Sequence, residues 1–190
     1  MTLRGEMREQ TSVLRYDQSR RLTVVKTVGF AIALAAAAQV AIPLPGTPVP
    51  FTLQPLLVVL AGLWLSPRAA VASMVLYLGA GALGLPVWAP MGLPGAARLI
   101  GPTGGYLISY PVAAWLVSTL AQRSSGYLPR VLAALAGIAV MYVGGIAQLA
   151  VLTGSLATSA LIGAAPFAAL DLVKCLVAGA LAPRGPGSTP

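Results

Sequence analysis

The last strongly apolar stretch of the chain, PFAALDLVKCLVAGALA at 166–182, carries a carboxylate and an ammonium three residues apart. Asp171 is the only acidic residue after Asp17, and Lys174 follows it on the same face of a helix, about one turn away. A charge inside a hydrocarbon-spanning helix costs roughly 2.5–3.5 kcal/mol on insertion scales. Such a group persists when it is paired, turned to the protein interior, or put to use. Two readings follow: an acceptor and a donor at the floor of a polar site, or an ion pair that pins two helices together. Replacing both charges at once separates them, since a packing pair tolerates Asp171→Asn with Lys174→Met and a ligand site does not.

The surrounding composition narrows the chemistry. The chain has 190 residues, 57% of them hydrophobic and 8% charged, where soluble domains carry about 25% charged residues. That is an integral membrane protein, of a length for five to seven spans of roughly 20 residues. There is no histidine and one cysteine, Cys175, which excludes Ser-His-Asp, Cys-His and His-ligated metal chemistry and any intrachain disulfide. Cys175 reads as a small apolar filler. A single buried carboxylate with no second acid and no metal set argues against an enzyme. No Walker-type phosphate loop is present, so ATP hydrolysis by this chain is not expected. The net charge of +8 does not point to nucleic acid, because six of the twelve basic residues crowd into the first 26 as an orientation signal.

Six apolar segments must position the pair. They run at about 23–42, 54–65, on to 83 after a Ser66-Pro67-Arg68 turn, 106–121, 131–152 and 160–182. The domain reading is a cytoplasmic N-terminal tail at 1–22, a six-helix transmembrane domain at 23–182 and a cytoplasmic tail at 183–190. The polar segment 1–20 reads as a loose tail or a short surface helix, and the first apolar run as an uncleaved span. With the N-terminus inside, cytoplasmic segments hold ten basic residues and the three outer loops hold one, Arg98.

Two outer loops are irregular. Residues 43–55 hold five prolines and cannot be helix interior, and 84–105 is punctuated by glycine and proline. Both must lie over protein or at the membrane surface, because bare backbone is not tolerated in hydrocarbon. A span entering near residue 160 places Asp171 eleven residues in, roughly 16 Å deep. The loops then cover an outward-facing pocket with Asp171 and Lys174 at its floor and Arg98 near its mouth. Tyr77 and Trp88 supply apolar faces with one polar handle each. A fitting ligand has a head with both N–H and C=O groups, an apolar body and a carboxylate tail. In the first span, Ala33, Ala37 and Ala41 repeat every four residues, a small-residue stripe on which another helix packs closely.

The strings PGTPVPFTLQPLLVVLAGLWLSPR, LYLGAGALGLPVWAP, GPTGGYL and DLVK resemble the BioY family, the membrane-embedded substrate-binding (S) components of energy-coupling-factor (ECF) biotin transporters. The resemblance covers spans one to six and rests on the motifs in combination and order. It implies an all-α, six-helix S-component fold in a bacterial cytoplasmic (inner) membrane, with both termini cytoplasmic and biotin captured from outside beneath the first loop. The family's acid and lysine map onto Asp171 and Lys174, its loop arginine onto Arg98, and Thr52 and Gln54 of the first-loop string join the site with Tyr77 and Trp88. A cyclic urea offers N–H groups to Asp171 and a carbonyl to Lys174, while the valerate suits Arg98 or backbone N–H groups. The loop at 90–95, PMGLPG, carries prolines where relatives have a glycine-rich run, and it lacks an asparagine-type contact. No cofactor is implied. The implied partners are a coupling membrane protein on the Ala33, Ala37 and Ala41 stripe and two cytoplasmic ATPases that hydrolyse the ATP. Alternatives within the same residues are an S component for thiamine or riboflavin, and a structural membrane protein.

Overall fold

The computed structural model describes residues 3–123 and 126–183, with side chains in the first helix from residue 18 onward. The tail at 184–190, Arg184 included, lies outside the described residues. Seven α-helices, a two-stranded sheet and one 3-10 turn make up the described chain.

Helix α1 runs from Leu3 to Gln39 without interruption, so the polar N-terminal segment is helical and continuous with the first apolar span. It stops where Val40, Ala41 and Ile42 lead into Pro43, a sequence that favours extended backbone. Ala41–Ile42 forms strand β1, antiparallel to β2 at Phe51–Thr52, with Ala41 opposite Thr52 and Ile42 opposite Phe51. The proline-rich loop is thus a short hairpin rather than featureless coil. The alanine stripe ends with it: Ala37 is buried on α1, but Ala41 is a strand residue and does not continue the helical row.

Prolines at the first turns start α2 (Gln54–Trp64) and α3 (Pro67–Ala82), where a missing N–H costs nothing. The loop after α3 contains the 3-10 turn Gly95–Ile100 and feeds α4, Gly104–Ala121. Helix α5 spans Tyr127–Thr153 and ends at Gly154, whose φ of +72° is the left-handed conformation of a helix stop. The expected sixth span is two helices. Ser155 caps α6 (Leu156–Gly163), the chain breaks around Pro166, and α7 (Ala168–Leu181) continues at a bend of 53°.

Among the described residues, two helices are long and apolar enough to cross a membrane, Gln18–Gln39 within α1 and Tyr127–Thr153, with a third if α6 and α7 form one bent span. Outward-facing Val24, Ile32, Val75, Val112, Val143 and Val151 give the helices exposed apolar surfaces. Such surfaces need lipid around them. Helices α4 and α5 pack tightly because glycines face each other: a Cβ on Gly105 would overlap the Gly144 carbonyl, and one on Gly145 would overlap the Tyr106 ring. The core extends from these helices across α2 and α3 to Cys175 and Ala178 of α7. It leaves one wall of α7 facing a cavity.

Candidate functional site

Breaking the last span at Pro166 changes the setting of the charged pair. Asp171 stands in the first turn of α7, not eleven residues into a continuous helix. The N-terminal end of a helix carries partial positive charge, which favours a carboxylate there. Asp171 and Lys174 are both buried, at 4% and 6% exposure. Lys174 Nζ donates to Asp171 Oδ1 at 2.7 Å. It also donates to the Thr52 carbonyl of β2 at 2.8 Å and lies 4.2 Å from the centre of the Phe51 ring. The floor of the site is therefore tied directly to the hairpin above it. Tyr142, projecting from α5, donates to Asp171 Oδ2 at 2.6 Å. Each carboxylate oxygen thus has one donor, and an ammonium with three N–H groups has used two of them on oxygen.

A second chain of contacts forms one wall. Gln54 Nε2 donates to the Tyr77 hydroxyl at 2.8 Å, and that hydroxyl donates to the Val87 carbonyl at 3.2 Å. Thr52 Oγ1 donates to Gln54 Oε1 at 3.2 Å. Trp88 packs edge-on to Tyr77, with ring centres 5.1 Å apart, and its indole N–H reaches the Gly95 carbonyl at 3.1 Å. Tyr110 of α4 stacks on Tyr77 with ring centres 6.5 Å apart. The amide of Gln39, at the end of α1, donates to the Pro86 and Trp88 carbonyls and holds this loop to the helix.

Arg98 is not a solvated loop cation. It is 5% exposed, and its two terminal nitrogens donate to the Met91 and Ala89 carbonyls, folding the loop around the guanidinium. Gly92, with φ of +108°, makes room, since a Cβ there would overlap the guanidinium. Nε has no partner among the described residues. Burial lowers the Arg98 pKa below its ordinary value, with the nearby Tyr77 acting in the opposite direction; a guanidinium starting so high stays charged.

Thr52, Gln54, Tyr77, Trp88, Arg98, Asp171 and Lys174 all line one cleft of about 690 Å³, part of it open to solvent. Ala33, Ala37 and Ala41 lie elsewhere. Sequence reasoning missed Tyr142, Tyr106, Tyr110 and Phe167, which also line the cleft. The Gly144-Gly145 pair signals close packing at that level of α5, but nothing local marks Tyr142 as the partner of an acid 29 residues away. Tyr106 also closes the break in the last span, its hydroxyl donating to the Gly163 carbonyl at 2.7 Å.

The cleft therefore offers acceptors and a cation at its floor, aromatic walls, and a second cation at the loop side. The BioY family model matches residues 8–188. The chain is 39% identical over 142 residues to the probable biotin transporter BioY of Pyrococcus horikoshii, covering 75% of this chain and 83% of that protein. It is 32% identical over 161 residues to the biotin transporter BioY of Thermotoga maritima, covering 85% and 94%. Its fold is similar to a crystal structure of the S-component for biotin from an ECF-type ABC transporter, with a TM-score of 0.80, 24% identity, and 87% of this chain and 90% of that one aligned. With the match running from the polar part of α1 past the end of α7, the chain belongs to the BioY family.

Proposed function

We propose that this protein captures biotin from the outer side of the cytoplasmic membrane, as the S component of an ECF-type transporter. The observation that carries the reading is the buried Asp171–Lys174–Tyr142 group at the bottom of an otherwise aromatic and apolar cleft. A cyclic urea presents two N–H groups and one C=O on a rigid ring. Asp171 keeps lone pairs beyond those used by Lys174 and Tyr142, and accepts from the ring N–H groups. Lys174 keeps one N–H for the carbonyl. The apolar bicycle lies against Tyr77, Trp88 and Phe167, whose faces gain by excluding water. The valerate extends toward Arg98. Thr52 and Gln54 hold the hairpin to the wall and close the site around the ring.

In this reading α1, α2, α3, α4, α5 and the bent α6–α7 pair make six crossings with both termini cytoplasmic. Helix α2 has 11 residues and reaches only about 16 Å, so it crosses with the help of the hairpin loop stacked above it. The outer face of α1 around Ala33 meets the coupling membrane protein, and ATP is hydrolysed by that protein's ATPase partners. Biotin is cargo, and the chain supplies binding and no chemistry.

Equilibrium binding of radiolabelled biotin to the detergent-purified protein tests this, with Asp171→Asn run alongside. Nanomolar-range binding by the parent and a loss of at least about 100-fold in the variant, about 2.7 kcal/mol, is the expected result. Binding that survives the substitution keeps the function and removes Asp171 from the site. No binding by folded parent overturns the biotin reading.

A further inference from the structure

The cleft does not end at Arg98. A second cavity of about 570 Å³, partly open to solvent, lies between the two outer loops and shares Val49, Pro50, Arg98 and Thr103 with the first. Its own walls include Thr47, Met91, Leu93 and Gly101. Arg98 thus forms part of the partition between two chambers. A terminal carboxylate is best held by two parallel N–H groups of a guanidinium. Here each terminal nitrogen gives one of its two N–H groups to the Met91 or Ala89 carbonyl, and the buried Nε has no hydrogen-bond partner among the described residues. One N–H pairs with one acceptor oxygen. An amide carbonyl satisfies it as well as a carboxylate does, and an amide carries the chain onward where a carboxylate ends it. The start of α4 at Gly104, beside Thr103, adds partial positive charge on the same side and again favours an acceptor atom without requiring a full negative charge.

We infer that the protein also takes biotin extended through an amide at its carboxyl end, with the ring on Asp171 and Lys174, the amide carbonyl beside Arg98, and the added chain in the second cavity. The ligand class is N-biotinyl amines such as ε-N-biotinyl-lysine. The inference rests on the biotin reading above, and the experiment separates the two. Competition against radiolabelled biotin is measured with unlabelled biotin and with ε-N-biotinyl-lysine on the detergent-purified protein. The expected result is competition by biotinyl-lysine within tenfold of biotin. Leu93→Trp, which narrows only the second cavity, then weakens biotinyl-lysine at least tenfold and leaves biotin within threefold. Met91→Trp replaces it if that variant does not fold, because the Met91 carbonyl that serves Arg98 is retained. A deficit of more than tenfold for biotinyl-lysine, with biotin bound normally, overturns the inference. So does a cavity-narrowing variant that affects both ligands alike. Failure of biotin itself to bind overturns the underlying reading instead.

Discussion

Two buried cations face the same cleft and are used in opposite ways. Lys174 at the floor stands on a helix beside a carboxylate, and its position is fixed by α7, α5 and one contact to the hairpin. Arg98 in the roof stands on a 3-10 turn with no acid beside it among the described residues, and two carbonyls of its own loop accept hydrogen bonds from it. The floor keeps donors and acceptors in reserve. The roof spends one N–H from each terminal nitrogen on holding a glycine- and proline-rich loop in one shape. Burial of a charge is costly in both places, but the first arrangement is suited to recognition and the second to architecture. Substitutions at the floor should therefore change affinity with the fold intact, and substitutions in the roof should first change stability and the rate of ligand escape.

The largest effect expected is from Asp171→Asn combined with Lys174→Met. Removing both charges leaves no lone buried ion, so the thermal unfolding midpoint in detergent should stay within a few degrees of the parent. Biotin affinity should fall more than about 1,000-fold, or about 4 kcal/mol, because both partners of the urea are gone. A double variant that binds within tenfold of the parent would reduce the pair to a helix pin and erase the contrast between floor and roof.

Tyr142→Phe is the next step down. The phenyl ring keeps the packing on α5, and only the 2.6 Å bond to Asp171 Oδ2 is lost. A hydrogen bond to a charged group is worth about 1.5–3 kcal/mol, so affinity should drop roughly ten- to a hundredfold with little change in the unfolding midpoint. If binding is unaffected, Asp171 is held by Lys174 and the helix end alone.

How much of this was legible beforehand follows the same division. Asp171 and Lys174 stand out because charge is rare in an apolar chain, and their spacing puts them on one helical face whatever surrounds them. The break at 164–167 could be read from Pro166, yet its consequence could not: a first-turn Asp171 needs the actual helix start. Arg98 was legible as an exception to the charge asymmetry, but not as a buried group. Its partners are backbone carbonyls, which every residue carries and no sequence marks. Tyr142 was invisible for a related reason, since a tyrosine in a span is ordinary until another helix brings an acid within 2.6 Å. The Ala33, Ala37 and Ala41 row failed at Ala41 because β-branched neighbours and Pro43 ended the helix two residues earlier.

In the roof, Gly92→Val should be felt as stability. At φ of +108° a β-branched residue is strained, and its side chain would displace the Arg98 guanidinium from between its carbonyls. A cost of about 1–3 kcal/mol is expected, read as a lower unfolding midpoint in detergent, with biotin affinity reduced by less than in Tyr142→Phe. An unchanged midpoint would mean that the loop reshapes freely and that Arg98 is not its organiser.

The smallest effect is the one that bears most on how the roof opens. Gln39 reaches from the end of α1 to the Trp88 carbonyl at 3.1 Å and the Pro86 carbonyl at 3.4 Å, and contributes nothing to the lining of the cleft. Gln39→Leu removes this tether at an exposed rim, where a neutral hydrogen bond is worth about 0.5–1.5 kcal/mol. The Tyr77–Trp88 contact and the Gly95 bond still hold the loop in its closed shape, so equilibrium affinity should barely move. What changes is the barrier to lifting the loop. Biotin should leave roughly two- to fivefold faster in a chase experiment, with association faster by nearly the same factor. Dissociation at the parental rate would place the opening motion in the hairpin of β1 and β2, where Lys174 at the floor holds the Thr52 carbonyl, and not in the loop that Arg98 organises.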